Sequence, residues 1–399
     1  MKNNTGLYIH IPFCTRKCDY CDFFSLPVGA GGVSDDYIDA VINESHFYSK
    51  KLNIQMWSTI YVGGGTPSLL TPKQLSRLIS GVKAGMDESL SPAETTVEMN
   101  PQSLSLEMLD SARASGVDRI SLGIQSLNDS ALGSVHRSCS SATALKALDT
   151  VKKHWSGRLN LDCMAGLPSQ TTDEFASSLK AMLSYGPDHV SMYTLTVEPG
   201  TPLASRVETG MDFDFDAADS QWITGRKILR ENGFHQYEVS NFSKDGCESV
   251  HNMSYWRQKD YVGVGAGATG SVYGFYGKDG LRWTNARDIR LYCDFWNGFP
   301  VDEEKIPRET ERLDEATKEF EYLMMGLRTL EGLAPKDYRN RFSALEWNGS
   351  LSDRLGVDSG PWKRFSDRNL CADHSKTGRY ALNEDGILFL NALLREYVR

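Results

Sequence analysis

The chain has 399 residues, 40% of them hydrophobic, with a formal net charge of −9; it is too long for one small domain and has ample apolar material for a core. The acidic balance, with no long run of one sign, argues against a nucleic-acid partner held by phosphate neutralisation. No segment approaches the ~20 continuous apolar residues of a membrane span, and the start, MKNNTGLYIHIPFC, has neither a secretory nor an Arg-rich transit signature, so a cytoplasmic protein is expected.

In chain order, the first strand candidate covers residues 7–11. It runs into three cysteines within eight residues, Cys14-Thr-Arg-Lys-Cys18-Asp-Tyr-Cys21. An amphipathic helix follows at 35–51, with Ser34 as its cap. Strands at 59–62, 95–99, 119–124, 159–164 and 189–195 then alternate with helices at 72–84, 105–114, 140–154 and 172–184. Such repetition implies a parallel sheet, because each crossover helix returns the chain to the same edge. Pattern alone leaves a partial barrel and an open, doubly wound sheet both available. Either places ligands at the carboxyl ends of the strands.

Past residue 208 the rhythm changes. A helix is expected at 216–232, a Gly- and aromatic-rich stretch at 234–276, and a strongly helical segment from about residue 310, followed at the end by a short strand, a turn and a last helix. Three units are expected: 1–230, 231–304 and 305–399. Gly265-Ala-Gly267-Ala-Thr-Gly270 fits G-x-G-x-x-G, but the following Ser271-Val-Tyr-Gly-Phe-Tyr-Gly277 does not read as a helix. A glycine-rich turn is expected there, not a dinucleotide site.

Thiolates are soft ligands that suit iron–sulfur clusters, zinc and Cu(I). Three of them leave one iron of a four-iron cluster without a protein ligand, the kind of open position that chemistry at a metal requires. On spacing alone, a zinc site completed by His10 or His46 and a set of unliganded thiols remain alternatives. Cys139, Cys163, Cys247, Cys293 and Cys371 are scattered and read as inert, Cys163 as part of the core.

Cys-x3-Cys-x2-Cys after a strand, with Tyr20 before the last cysteine, resembles the signature of the radical S-adenosylmethionine (SAM) superfamily. The resemblance implies a [4Fe–4S] cluster on Cys14, Cys18 and Cys21, with SAM chelating the fourth iron through its amino and carboxylate groups. It implies an outside electron donor and cleavage of the sulfonium to a 5′-deoxyadenosyl radical. The implied fold is a partial (β/α)6 TIM-like barrel with a small, mainly helical, winged-helix-like C-terminal domain. Tyr8-Ile-His10-Ile-Pro-Phe-Cys14 resembles more narrowly the oxygen-independent coproporphyrinogen III oxidase family and its HemW-type heme chaperone relatives, over essentially the whole chain. Gly63-Gly64-Gly65-Thr66-Pro67 follows the second strand, where glycines let backbone approach a ligand closely. By the same resemblance, Tyr8, Tyr20, Gly64, Gly65, Thr66, Glu98, Gln125, Arg137, Asp162 and Thr196 are expected to line the SAM pocket. Glu98 and Asp162 suit ammonium or ribose groups, and Arg137 suits a carboxylate.

Three features favour the chaperone branch. Phe23 stands where the oxidases carry a fourth cysteine, thirteen residues precede Cys14, and His251-Asn-Met-Ser-Tyr255-Trp256 matches the HNxxYW motif of HemW-type chaperones. The resemblance then implies a protein of porphyrin metabolism that binds heme and passes it to an acceptor protein. His251 is the expected axial ligand, with Tyr255 and Trp256 against the porphyrin face. The alternative is an oxidase converting coproporphyrinogen III to protoporphyrinogen IX.

Overall fold

In a computed structural model of the chain, which describes residues 5–398 apart from 212, 277–278, 299 and 343–348, twelve strands build one mixed sheet. They are β1 (Gly6–Ile11), β2 (Ile60–Gly64), β3 (Thr95–Met99), β4 (Arg119–Gln125), β5 (Arg158–Ala165), β6 (His189–Thr194), β7 (His235–Gln236), β8 (Asn241–Ser243), β9 (Tyr261–Val264), β10 (Thr269–Tyr276), β11 (Asp279–Asn285) and β12 (Arg308–Leu313). Their order is β12-β11-β10-β9-β1-β2-β3-β4-β5-β6-β8-β7. Strands β1 to β6 run parallel in sequence order, and β9 joins β1 in parallel through Gly6↔Tyr261 to Ile9↔Val264. The remaining pairings, at both ends of the sheet, are antiparallel.

The crossover helices form where the sequence supplies caps. Ser34 accepts from the Asp36 N–H ahead of the helix Asp35–Lys51, and Thr71–Gln74 and Thr171–Glu174 form reciprocal capping boxes ahead of the next helices in those units. Their apolar faces cover the outer side of the parallel strands. Ile9, Val62, Val97, Leu122, Leu161 and Cys163 all belong to this one buried cluster.

The inner side differs in chemistry. Tyr61, Glu98, Ser121, Asn160, Asp162, His189 and Tyr193 come from five successive strands and line one chamber. Polar and apolar residues therefore alternate along each strand. A barrel interior is usually packed with branched aliphatic side chains; a polar one marks a place for a ligand.

The short helix Val250–Trp256 closes this chamber from the end where the strands begin. Glu94, fully buried just before β3, accepts from the backbone N–H of Val250 and His251 at 3.1 Å and from Ser249 Oγ at 3.0 Å. Its charge faces Arg119 at 3.7 Å, equally buried.

One sequence expectation changes. Residues 308–313 form a strand, β12, paired with β11, and the helix begins at Glu315. Arg-Glu-Thr-Glu-Arg-Leu has no apolar alternation because β12 is an exposed edge strand, where charge is tolerated and blocks further pairing. The segment after the glycine-rich turn is also a strand, β10, as far as Tyr276; Gly277 lies outside the described residues. A second hydrophobic cluster, from Tyr322 to Tyr397, packs the short C-terminal helices among themselves. No helix among the described residues is long and apolar enough to cross a membrane.

Candidate functional site

The three cysteines lie in the loop between β1 and the helix Asp35–Lys51, at the carboxyl ends of the parallel strands. Cys14 belongs to a two-residue strand pairing with Leu26–Pro27, which fixes the loop's two ends. Its middle is pinned by Asp19, whose carboxylate receives Arg206 Nη1 at 2.6 Å and His136 Nδ1 at 2.7 Å. Burial alone would push the Asp19 carboxyl up, but His136 and Arg206 hold it below the usual carboxylate range. No local pattern marks Asp19 or Arg206, which are 187 positions apart.

Cys14, Cys18 and Cys21 line one cavity of about 400 Å³. Thr66 Oγ1 approaches Cys14 Sγ at 3.5 Å, and Arg137 Nη1 approaches Cys18 Sγ at 3.7 Å. Neither His10 nor His46 lines this cavity. His10 uses Nδ1 on Tyr8 OH and Nε2 on the Phe24 carbonyl, and His46 bonds the Gly81 carbonyl. Among the described residues, no three His, Cys, Asp or Glu side chains converge on a single ion position.

The same cavity collects Tyr20, Gly64, Gly65, Thr66, Glu98, Gln125, Arg137, Asp162 and Thr196. The glycine run is closely hemmed in, most tightly at Gly64 and Gly65. A Cβ on Gly63 would stand 2.9 Å from Glu98 Oε1, one on Gly64 2.3 Å from the His10 ring, and one on Gly65 2.7 Å from the Phe13 carbonyl oxygen. Gly64 also has φ +106°, and its N–H donates to Glu98 Oε2 at 3.1 Å. Gln125 ends β4 at φ 69°, a conformation a side-chain-bearing residue adopts only under constraint.

Two polar atoms in this cavity are buried without a hydrogen-bond partner, Gln125 Oε1 and Arg137 Nε. An orphaned acceptor beside an orphaned donor fits a polar ligand that supplies both. Burial pushes Glu98 up to about 7; Tyr61 and Gly64, by hydrogen bonding, oppose the shift and nearby Asp162 adds to it. Burial likewise raises Asp162, against hydrogen bonds from Asn160, Ser191 and Ser121. Two buried carboxyls raised in this way are poised to take up a cationic or hydroxyl-rich ligand.

Four expected residues lie elsewhere. Tyr8 lines a neighbouring groove together with Tyr255 and Trp256. His251 lines neither space. It is buried, stacked on Tyr61 at 4.9 Å, with Nδ1 on Thr59 Oγ1 at 2.7 Å and Nε2 on Tyr255 OH at 2.8 Å. Burial lowers its pKa to about 3, so it is neutral and both ring nitrogens are occupied. The expectation of an axial ligand at His251 therefore fails in this arrangement: no lone pair is left for iron.

Comparison with known proteins gives concordant matches. The model of the radical SAM superfamily matches residues 8–182. The heme chaperone HemW of Escherichia coli (strain K12) is 34% identical over 395 residues, covering 98% of each chain. The heme chaperone HemW of Buchnera aphidicola subsp. Acyrthosiphon pisum is 32% identical over 386 residues, covering 96% of this chain and 98% of the other. Among solved structures, coproporphyrinogen III oxidase (HemN) from Escherichia coli, a radical SAM enzyme, superposes with a TM-score of 0.79 at 20% identity, covering 99% of this chain and 90% of that one.

Proposed function

Because this chain belongs to the HemW heme chaperone family within the radical SAM superfamily, we propose that it binds heme and hands it to an acceptor protein. In this reading it carries a [4Fe–4S] cluster on Cys14, Cys18 and Cys21 and an exchangeable SAM. One observation supports it above others. The thiol cavity and the groove of Tyr255 and Trp256 share Asp22 and Phe23, so cluster and cargo sites meet at a single loop. The match to HemN, at 20% identity, speaks to the fold alone.

When bound together, cluster and SAM supply one-electron chemistry at the sulfonium. The chain's own part is to hold them. The glycine run offers backbone to the methionine end, Arg137 suits its carboxylate, and Glu98 and Asp162 suit its ammonium or the ribose hydroxyls. Thr66 Oγ1 and Arg137 Nη1 lie against the sulfurs of Cys14 and Cys18.

Glu98 makes the binding step pH-dependent. Its folded pKa lies above the unfolded one, so its ionisation costs stability as pH rises from the ordinary carboxylate range to about 7 and no more beyond. A cationic ligand selects the ionised form. SAM affinity should therefore climb with pH, by up to about tenfold per unit below that value, and level off above it. Calorimetry on anaerobic protein reads this directly, and Glu98→Gln should flatten the profile; a wild-type affinity independent of pH would remove Glu98 from the site.

The reading as a whole is tested anaerobically. Reconstituted protein loaded with heme is mixed with an apo-heme protein, and transfer is followed by the Soret band. The same preparation is incubated with SAM, a reductant and coproporphyrinogen III. Heme transfer without porphyrinogen conversion is expected; formation of protoporphyrinogen IX would make the chain an oxidase.

A further inference from the structure

The groove beside the cysteine loop has a volume of about 600 Å³, within the range of sites that enclose small organic ligands. Its walls are aromatic: Phe23 and Phe24 from the cysteine loop, Tyr255 and Trp256 from the motif helix, and Tyr273 from β10. Phe23 is 61% exposed, so a large apolar ring stands at the rim with little to cover it. Such walls suit a flat, largely apolar macrocycle.

The polar groups at the groove are unequal. Arg282 is committed to Glu321 at 2.8 Å, Glu311 at 3.3 Å and Ser271. Arg287, exposed at the same groove, has no carboxylate partner among the described residues. The Trp256 indole N–H is buried without an acceptor. A guanidinium with no carboxylate partner, at the rim of an aromatic slot, calls for an anionic, oxygen-bearing edge.

The donors that can face a metal are few. His10 has both nitrogens engaged, and His251 lies outside the groove with both engaged. Burial pushes the phenols of Tyr261 and Tyr273 above their usual range, which disfavours phenolate. Met324 and Met325, half-buried on the helix Glu315–Gly326, line the groove with thioethers that need lose no proton to bind iron.

We propose that heme docks in this groove with a propionate on Arg287 and a thioether of the Met324–Met325 pair toward the iron. The inference rests on the chaperone reading, and it assigns iron ligation away from His251.

The test uses the full chain, reconstituted anaerobically with cluster and SAM, titrated with ferric heme and separately with heme dimethyl ester. Arg287→Ala should weaken heme binding about tenfold. The ester should bind wild-type protein with that same weakened affinity and lose nothing further on Arg287→Ala. Equal losses for both ligands, or no loss for heme, would overturn the propionate contact. Replacing both methionines by leucine conserves volume, so folding is retained. It should change the ferric heme signature in absorbance and electron paramagnetic resonance while heme stays bound. An unchanged signature there, or a change on His251→Asn instead, would overturn the thioether assignment. Wild-type protein that takes up no heme at all would overturn the chaperone reading itself, so the two failures are distinguishable.

Discussion

Replacing any one of Cys14, Cys18 and Cys21 by alanine should reduce iron and acid-labile sulfide from about four each per chain to background after anaerobic reconstitution. The broad brown absorbance should be lost with them. The fold should survive. All three thiols are only partly buried, and none carries a disulfide. Asp19, Arg206, His136 and the pairing of Phe13–Cys14 with Leu26–Pro27 hold the loop without help from metal. The expected change in stability is therefore about 1 kcal/mol, as for partly buried positions with no buried partner to lose. Cys163 is the control. It lies in β5 with its side chain in the apolar cluster, so Cys163→Ala should cost stability and leave iron untouched. Full iron and sulfide in the loop variants would refute the cluster assignment, and iron loss in the Cys163 variant would show that the loop is not its sole seat.

The second large effect concerns a residue far from the cysteines. Glu94→Ala should destabilise the protein by about 3–5 kcal/mol, the usual cost of leaving a buried charge without its partner. Arg119 would keep its hydrogen bond to the Cys247 carbonyl but lose its counter-charge. The N–H groups of Val250 and His251 and the hydroxyl of Ser249 would lose their acceptor together. That helix carries Tyr255 and Trp256, so the variant should also bind heme more weakly, although Glu94 touches neither groove nor thiol cavity. Glu94→Gln retains an acceptor oxygen and should fall between wild type and alanine. Chemical denaturation and a heme titration on the same samples check both statements. Unaltered denaturation in the alanine variant would mean that the buried network does not hold the helix.

Much of the site could be read locally. The cysteine spacing, the glycine run and the strand-terminal Glu98, Gln125 and Asp162 each sit in short contiguous patterns, and the structure brings them to one cavity. Asp19, Arg206 and Glu94 could not be read, because a lone acidic or basic residue looks the same in a solvated loop and in a buried network. One signal was available and unused. The strands β3 to β6 alternate polar with apolar residues, as in Asn160-Leu161-Asp162-Cys163 and His189-Val190-Ser191-Met192, which marks a polar lumen in a sheet whose outer face is covered by helices.

By itself the sequence determined most of the elements, the parallel sense of the first six strands and the close spacing of the three cysteines. These depend on propensity, capping and spacing over a few neighbouring residues. Only the tertiary structure decided that β9 extends the parallel sheet, that Tyr8 faces the groove of Tyr255 and Trp256, and that His251 is spent on Thr59 and Tyr255. The contacts responsible join positions as distant as 192 residues, between Thr59 and His251, and 157 residues, between Glu94 and His251. A histidine's free lone pair is a property of what surrounds it, and those surroundings exist only once the chain has closed on itself.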